Sequence, residues 1–225
     1  MIRRMLAYVL GVGVLAIRQM FASVAKDFFL HKSTPSRIGS AANGAVVSVL
    51  LLCGECDIAV NTTLLYFLFD LALLFSENTI TFNGLDAHAV SIIHHSIGLI
   101  LCAGSSYAGF TKPWHPTYYL VFSLVAMETT NPLFQAAMIM RNEKSQIWQN
   151  ADFRYWMCVA VLTQWTFMRI VYVGMHLYLL EKTKLSFLAS FLFMQSTLMW
   201  LIQIVWCGKL FSSIIDVVRV DPKEY

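Results

Sequence analysis

Apolar runs of about a membrane's thickness recur along the whole chain, and short polar stretches rich in turn residues separate them. A membrane-crossing helix needs about 20 residues at a rise of about 1.5 Å each. On that measure the pattern predicts spans at Met5–Val24, Ile38–Cys53, Ile58–Phe75, His88–Tyr107, Thr117–Met140, Tyr155–Leu180 and Leu185–Ile215. The connections "HKSTPSR", "SENTITFNGLDA", "GFTKPWHP", "RNEKSQIWQNADFR" and "EKTKLS" carry turn chemistry. The second span, with "GSAANGAVVSV", is short and rich in small residues, which suits close helix packing. The last is too long for one crossing and is expected to leave the bilayer near Gly208 or Lys209. The runs lack the sustained alternation of a membrane β-barrel. The expected class is all-α: a polytopic membrane protein with about seven transmembrane helices.

Composition agrees. Of 225 residues, 58% are hydrophobic and 13% charged, against about 25% charged in a soluble domain, and the mean hydropathy is +0.63. The net charge of +3 comes without a basic block, so nothing points to nucleic acid. The five cysteines read as small core residues, not as a disulfide framework. Cys53 and Cys56 form one isolated C-x-x-C at a helix end, a weak redox or metal signal. If the helices alternate, Lys26, Lys32, Arg37, Arg141, Lys144, Arg154, Arg219 and Lys223 share one side. Arg3, Arg4, Lys112, Lys182 and Lys184 share the other. The first side carries more positive charge and is expected to be cytosolic, together with the C-terminus. An alternative reading makes the first run a signal peptide cleaved near "FASVA"; Arg18, which interrupts that run, argues against it.

The polar exceptions at membrane depth carry the chemistry. They are Asp70, the adjacent pair His94 and His95, Glu128, Arg169 and His176. Each charge there costs at least about 2.5–3.5 kcal/mol, so such residues face a bundle interior and mark function. Asp70 shares a helical stripe with Thr63 and Tyr66, and Arg169 one with Thr166, Tyr172 and His176. Glu128 precedes Thr129, Thr130, Asn131 and Pro132, so a kink is expected just after it, with hydroxyls and the amide re-satisfying freed backbone groups. Asp70 and Arg169 have the signs for a structural ion pair. Adjacent histidines point about 100° apart, which does not suit gripping one metal. One is expected to face a cavity while a neighbouring helix holds the other. His88 lies close by, but no second histidine box follows, so no metal is expected.

Taken in order, the segments "RIGSAANGAVVSVLLL", "YFLFDLALLF", "HAVSIIHHSIGLI", "METTNPLFQAAMIMR", "TFMRIVYVG" and "LIQIVWCGKLFSSII" resemble the TLC-domain family, which holds the ceramide synthases and TRAM-type proteins. The third segment matches the family's histidine pair, and Ser106–Tyr107 follows at a similar distance. The fourth is similar to the small TLC-domain proteins of lipid homeostasis. The acidic run that follows the histidine pair in ceramide synthases is replaced here by "YYLVFSLVAMETT", in which Glu128 is the lone acid. This moves the match toward the small members. The resemblance covers residues 37–215 as a TLC domain, after an N-terminal membrane helix and loop at 1–36 (a signal anchor is one option) and before a polar tail at 216–225.

The resemblance implies a barrel of about six helices around a lipid-sized interior cavity, after one extra helix. Carried over, His94 or His95 would be base or acyl acceptor, with Glu128 or Asp70 holding its other nitrogen. Asp70, Glu128, Asn131 and Arg169 would line the polar cavity, Arg169 meeting a carboxylate or oxyanion. The primary expectation is a multi-pass protein of lipid homeostasis, in the endoplasmic reticulum or a related endomembrane, that binds or processes a lipid and influences membrane lipid composition. One alternative is an acyltransferase with acyl-coenzyme A as co-substrate and no resident cofactor. A second is a proton-coupled transporter, which no inverted repeat supports. Membrane lipids are the expected partners, with a homodimer as a further option.

Overall fold

The computed structural model describes residues 2–24, 34–76, 87–183 and 185–219. Helix α1 is Ile2–Val24, α2 Thr34–Leu52, α3 Cys56–Ser76 and α4 Ala87–Tyr107. α5 (Tyr118–Ala126) runs through a 3-10 turn (Met127–Thr130) into α6 (Asn131–Asn142). The short α7 (Gln146–Gln149) leads to α8 (Ala151–Trp165), which continues through a π-helical segment (Thr166–Tyr172) into α9 (Val173–Glu181). α10 is Phe187–Arg219. The described residues form no strand, so the chain is all-α. The expectations for the loops at 25–33 and 77–86, for Lys184 and for the end of the tail lie outside the described residues, as do the side chains of Arg3, Arg4 and His88.

Local chemistry sets the boundaries. Pro35 sits in the first turn of α2, where its missing N–H is not needed. Gly54, at φ +74°, ends α2 in the left-handed conformation that glycine tolerates. The Ser145 side chain accepts from the Trp148 N–H at the start of α7, and Asn150 accepts from Phe153 at the start of α8. The break between α5 and α6 falls where Glu128–Pro132 predicts it. Thr129 and Thr130 return their hydroxyls to the carbonyls of Ala126 and Met127, at 2.7 and 2.8 Å.

Among the described residues three helical stretches are long and apolar enough to cross a membrane: Cys56–Leu73, Ala151–Glu181 and Phe187–Ser212. The chain is a helical membrane protein on that ground. A shorter apolar helix covers Met5–Phe21.

The rods touch in a closed order. α2 lies against α3, α3 against α4, α4 against α10, α10 against α8 and α9, these against α5 and α6, and α6 returns to α2. α1 packs outside this ring on α2 and α3. α5 also reaches across to α3. The main core, from Ile58, Leu101 and Phe110 to Leu120, Leu177 and Leu192, fills the half of the ring toward the α4–α5 turn. The opposite half holds a smaller cluster around Trp148, Cys158 and Val161, and an open interior.

Candidate functional site

A cavity of about 420 Å³ occupies that opposite half. Its floor is polar and is built by five elements. α4 supplies His94 and His95, the 3-10 break Glu128, the start of α6 Asn131, the π segment Arg169, and α2 Ser40. Its walls are aromatic: Tyr66 and Phe67 of α3, Phe134 of α6, Trp165 of α8 and Trp206 of α10.

Asp70 stands behind His95. Its Oδ2 lies 2.9 Å from His95 Nδ1, and its Oδ1 lies 3.5 Å from Arg18 Nε. All three side chains are mostly buried, with Arg18 4%, Asp70 2% and His95 14% exposed. This corrects the expected pairing of Asp70 with Arg169. The guanidinium that meets Asp70 comes from α1, because α1 lies along α3 and brings Arg18 to the level of Asp70.

Arg169 has other partners. Its Nε donates to Thr130 Oγ1 at 2.7 Å, Nη1 to Gln203 Oε1 at 3.0 Å and Nη2 to Asn131 Oδ1 at 2.6 Å. The guanidinium sits 4.0 Å from the centre of the Trp165 ring. The stripe expected below it, Thr166, Tyr172 and His176, does not join the cluster. Thr166 lies by Cys207, while His176 packs on Tyr119 and Tyr172. A π turn holds more residues per turn than an α-helix, which turns residues three and seven positions away off the face of Arg169, while Trp165, four residues before it, stays beside it. Trp200 Nε1 donates to the Ile170 carbonyl within that segment at 2.9 Å.

Asn131 joins the two buried charges. While its Oδ1 accepts from Arg169, its Nδ2 donates to Glu128 Oε2 at 2.8 Å. Asn43 Nδ2 of α2 donates to the same Glu128 oxygen at 3.3 Å. One amide thus carries the attraction between carboxylate and guanidinium without direct contact, and both charges keep hydrogen bonds.

One histidine is expected to face a cavity while a neighbouring helix holds the other; in the structure the two roles are not divided between them. Both border the cavity. Phe67 packs against both rings, at 5.9 Å from His94 and 5.0 Å from His95. The difference lies behind them. His95 Nδ1 has the Asp70 carboxylate. His94 Nδ1 faces Met199 Sδ at 3.0 Å and Gln203 Nε2 at 3.4 Å, and its ring packs on Trp206. The Asp70 carboxylate lies within reach of His95 Nδ1 but is not aligned to accept a hydrogen bond from it. Among the described residues no group of three histidine, cysteine or acidic side chains gathers in the manner of a metal site. All five cysteines are free.

Reasoning from sequence misses Arg18, Asn43 and Gln203 as members of the site, and the bond that Thr130 accepts from Arg169. Arg18 carries a signal, a cation inside an apolar run, which speaks against cleavage but does not by itself name a buried partner. Asn43 and Gln203 are neutral, and a search for ionisable groups passes over them. No family model, curated protein or solved structure is matched by this chain.

Proposed function

We propose that this chain is a multi-pass membrane protein of lipid homeostasis, which binds or processes a lipid inside its ring of helices and so influences membrane lipid composition. The observation that carries the reading is the cavity itself. Its aromatic walls suit an apolar chain, and its floor concentrates two imidazoles, a carboxylate and a guanidinium for a polar group. The closed order of helices and the resemblance to TLC-domain proteins support the finer picture. In it, about seven helices cross an endoplasmic reticulum or related membrane, six of them form the barrel, and the C-terminus is cytosolic. Exposed Tyr107, Trp114 and Tyr119 near one end, and Tyr155 and Trp156 near the other, fit two interfacial aromatic belts.

A second reading, acyl transfer, is favoured by the contact between Asp70 and His95. With Nδ1 turned toward a carboxylate 2.9 Å away, His95 would act as a base through Nε2 once that contact closes to a hydrogen bond. It would take the proton from an amine or hydroxyl acceptor as that acceptor attacks the thioester carbonyl of acyl-coenzyme A. The C–S bond breaks, and the departing thiolate takes the proton back from His95.

The test uses purified chain with His94→Asn and His95→Asn, each shown to be folded and monodisperse. Acyl-coenzyme A is offered with amine and hydroxyl lipid acceptors, and both product and bound lipid are read by mass spectrometry. Product from the wild type that disappears in His95→Asn establishes transfer. Specific lipid binding without product establishes the binding protein. No specific lipid in any preparation overturns the proposal.

A further inference from the structure

Beneath the polar floor, on the side toward the α4–α5 turn, lies a second and much smaller cavity of about 30 Å³. It shares Phe67, His94 and Glu128 with the large one. Beyond these, apart from the hydroxyl of Thr63, its walls are apolar side chains of the main core, such as Leu101, Leu124 and Val125.

Phe67 is the partition between the two. Its side chain borders both cavities and is 4% exposed. On one side its ring packs on His95 at 5.0 Å and on His94 at 5.9 Å. On the other it rests against bare helix. A Cβ on Gly98, one turn past His94 on α4, would stand 2.4 Å from Phe67 Cε2 and 2.8 Å from Cδ2. Glycine inside a helix is unfavourable. Here the missing side chain makes the bay in which the ring sits.

A ligand that brings a polar group to the floor therefore has apolar space on one side of that group, between Phe134, Trp165 and Trp206. A chain continuing past the other side meets a ring wedged between two imidazoles and α4. A close-packed interior admits no added methylene there without displacing the ring. Behind the ring the space is that of about one methyl group, close to the size of a water molecule.

Resting on the lipid-binding reading above, we propose that Phe67 is a specificity-determining stop. It restricts the site to lipids that carry an apolar chain on one side only of the polar group meeting the histidines. Lipids with long chains on both sides of that group, joined by an ester or an amide, are turned away. Gly98 is the positioning residue that seats the ring.

The full chain in detergent is titrated with palmitic acid and with methyl, butyl and octyl palmitate, by native mass spectrometry. The three esters share one chain and one carbonyl and differ in the apolar group on the far side of it. Hydrophobicity alone would tighten binding along that series. The stop reverses the order: in the wild type, octyl palmitate is expected to bind at least roughly tenfold more weakly than methyl palmitate. In Phe67→Ala that ratio is expected to vanish, and in the milder Phe67→Leu to shrink. Gly98→Ala drives the ring toward the large cavity and is expected to weaken methyl palmitate as well, while Phe67→Ala/Gly98→Ala restores it. Esters that bind the wild type equally, or more tightly as the alkyl group grows, would overturn the stop and leave the lipid cavity standing. A wild-type order that persists in Phe67→Leu and Phe67→Ala would do the same. Unchanged methyl palmitate binding in Gly98→Ala would overturn the role of Gly98. Binding of none of the four overturns both the stop and the reading on which it rests.

Discussion

Asp70 faces a guanidinium on one side and an imidazole on the other, in a setting where water offers no substitute. Asp70→Asn removes the carboxylate that Arg18 meets and should lower stability by about 3–5 kcal/mol, as for a broken buried pair. Replacing both members, in Arg18→Met/Asp70→Asn, should recover part of that loss. Asp70→Asn/Arg169→Met should recover none, because Arg169 bonds to Thr130, Asn131 and Gln203. Melting of the purified variants in one detergent decides between these outcomes. Asn131 yields a second expectation. Asn131→Leu strips one bond from each of two buried charges and should cost at least about 3 kcal/mol, given about 1.5–3 for each hydrogen bond to a charged group. Asn131→Asp should also be harmful, since a carboxylate beside Glu128 cannot donate to it. The polar residues at depth were legible one by one, because a charge in an apolar run stands out. Their pairing was not legible, because sequence spacing ranks partners on one helix and says nothing about which helix lies opposite.

At the scale of elements, glycine and broken helices decide how closely the rods approach. A Cβ on Gly44 would lie 2.4 Å from the Glu128 carbonyl oxygen and 2.7 Å from Pro132 Cδ. α2 therefore touches the backbone of the 3-10 break, and Gly44→Ala must push the two apart. Overpacking of this kind costs about 1–3 kcal/mol. Gly13→Ala in α1 meets nothing within 4 Å and should stabilise slightly, by about 0.5–1 kcal/mol at most, through helix propensity. Thermal melts of the two variants, which change the same atom, should shift in opposite directions; a parallel shift would show that α2 and α6 are not in backbone contact. The kink was readable because proline has a fixed stereochemical effect. The π segment was not, since its extra residue is set by how Arg169 and Trp165 pack against α6 and α10.

For the whole molecule, the closed order of helices makes one end solid and the other hollow. Cys53, exposed at the α2–α3 turn, lies at the solid end; Lys144, just past α6, lies at the hollow end. In sealed vesicles an impermeant maleimide should reach Cys53 and an introduced Lys144→Cys from opposite faces, with Lys144→Cys on the cytosolic side. Labelling of both from one face would overturn the multi-pass arrangement. The positions of the rods matched the apolar runs to within a few residues, apart from the breaks inside them. Yet among the described residues α2 falls short of the hydropathy that marks a crossing, while Cys56–Leu73, Ala151–Glu181 and Phe187–Ser212 reach it. Polar and small residues that face a cavity lower a helix's mean hydropathy without moving it out of the bundle.

Sequence alone determined where helices form and that they belong in a membrane, because local propensity and run length act within one segment. It also determined that Asp70, His94, His95, Glu128, Asn131 and Arg169 are exceptional, because their cost in hydrocarbon does not depend on the fold. Only the tertiary structure decided that His95 rather than His94 has the carboxylate, that Arg18 completes its support from a helix outside the ring, and that Asn131 stands between Glu128 and Arg169. Those are contacts between residues 25 and 52 positions apart, or, for Asn131, between a helix start and a π turn whose facing is set by packing. Distance along the chain carries no information about such contacts until the helices have docked.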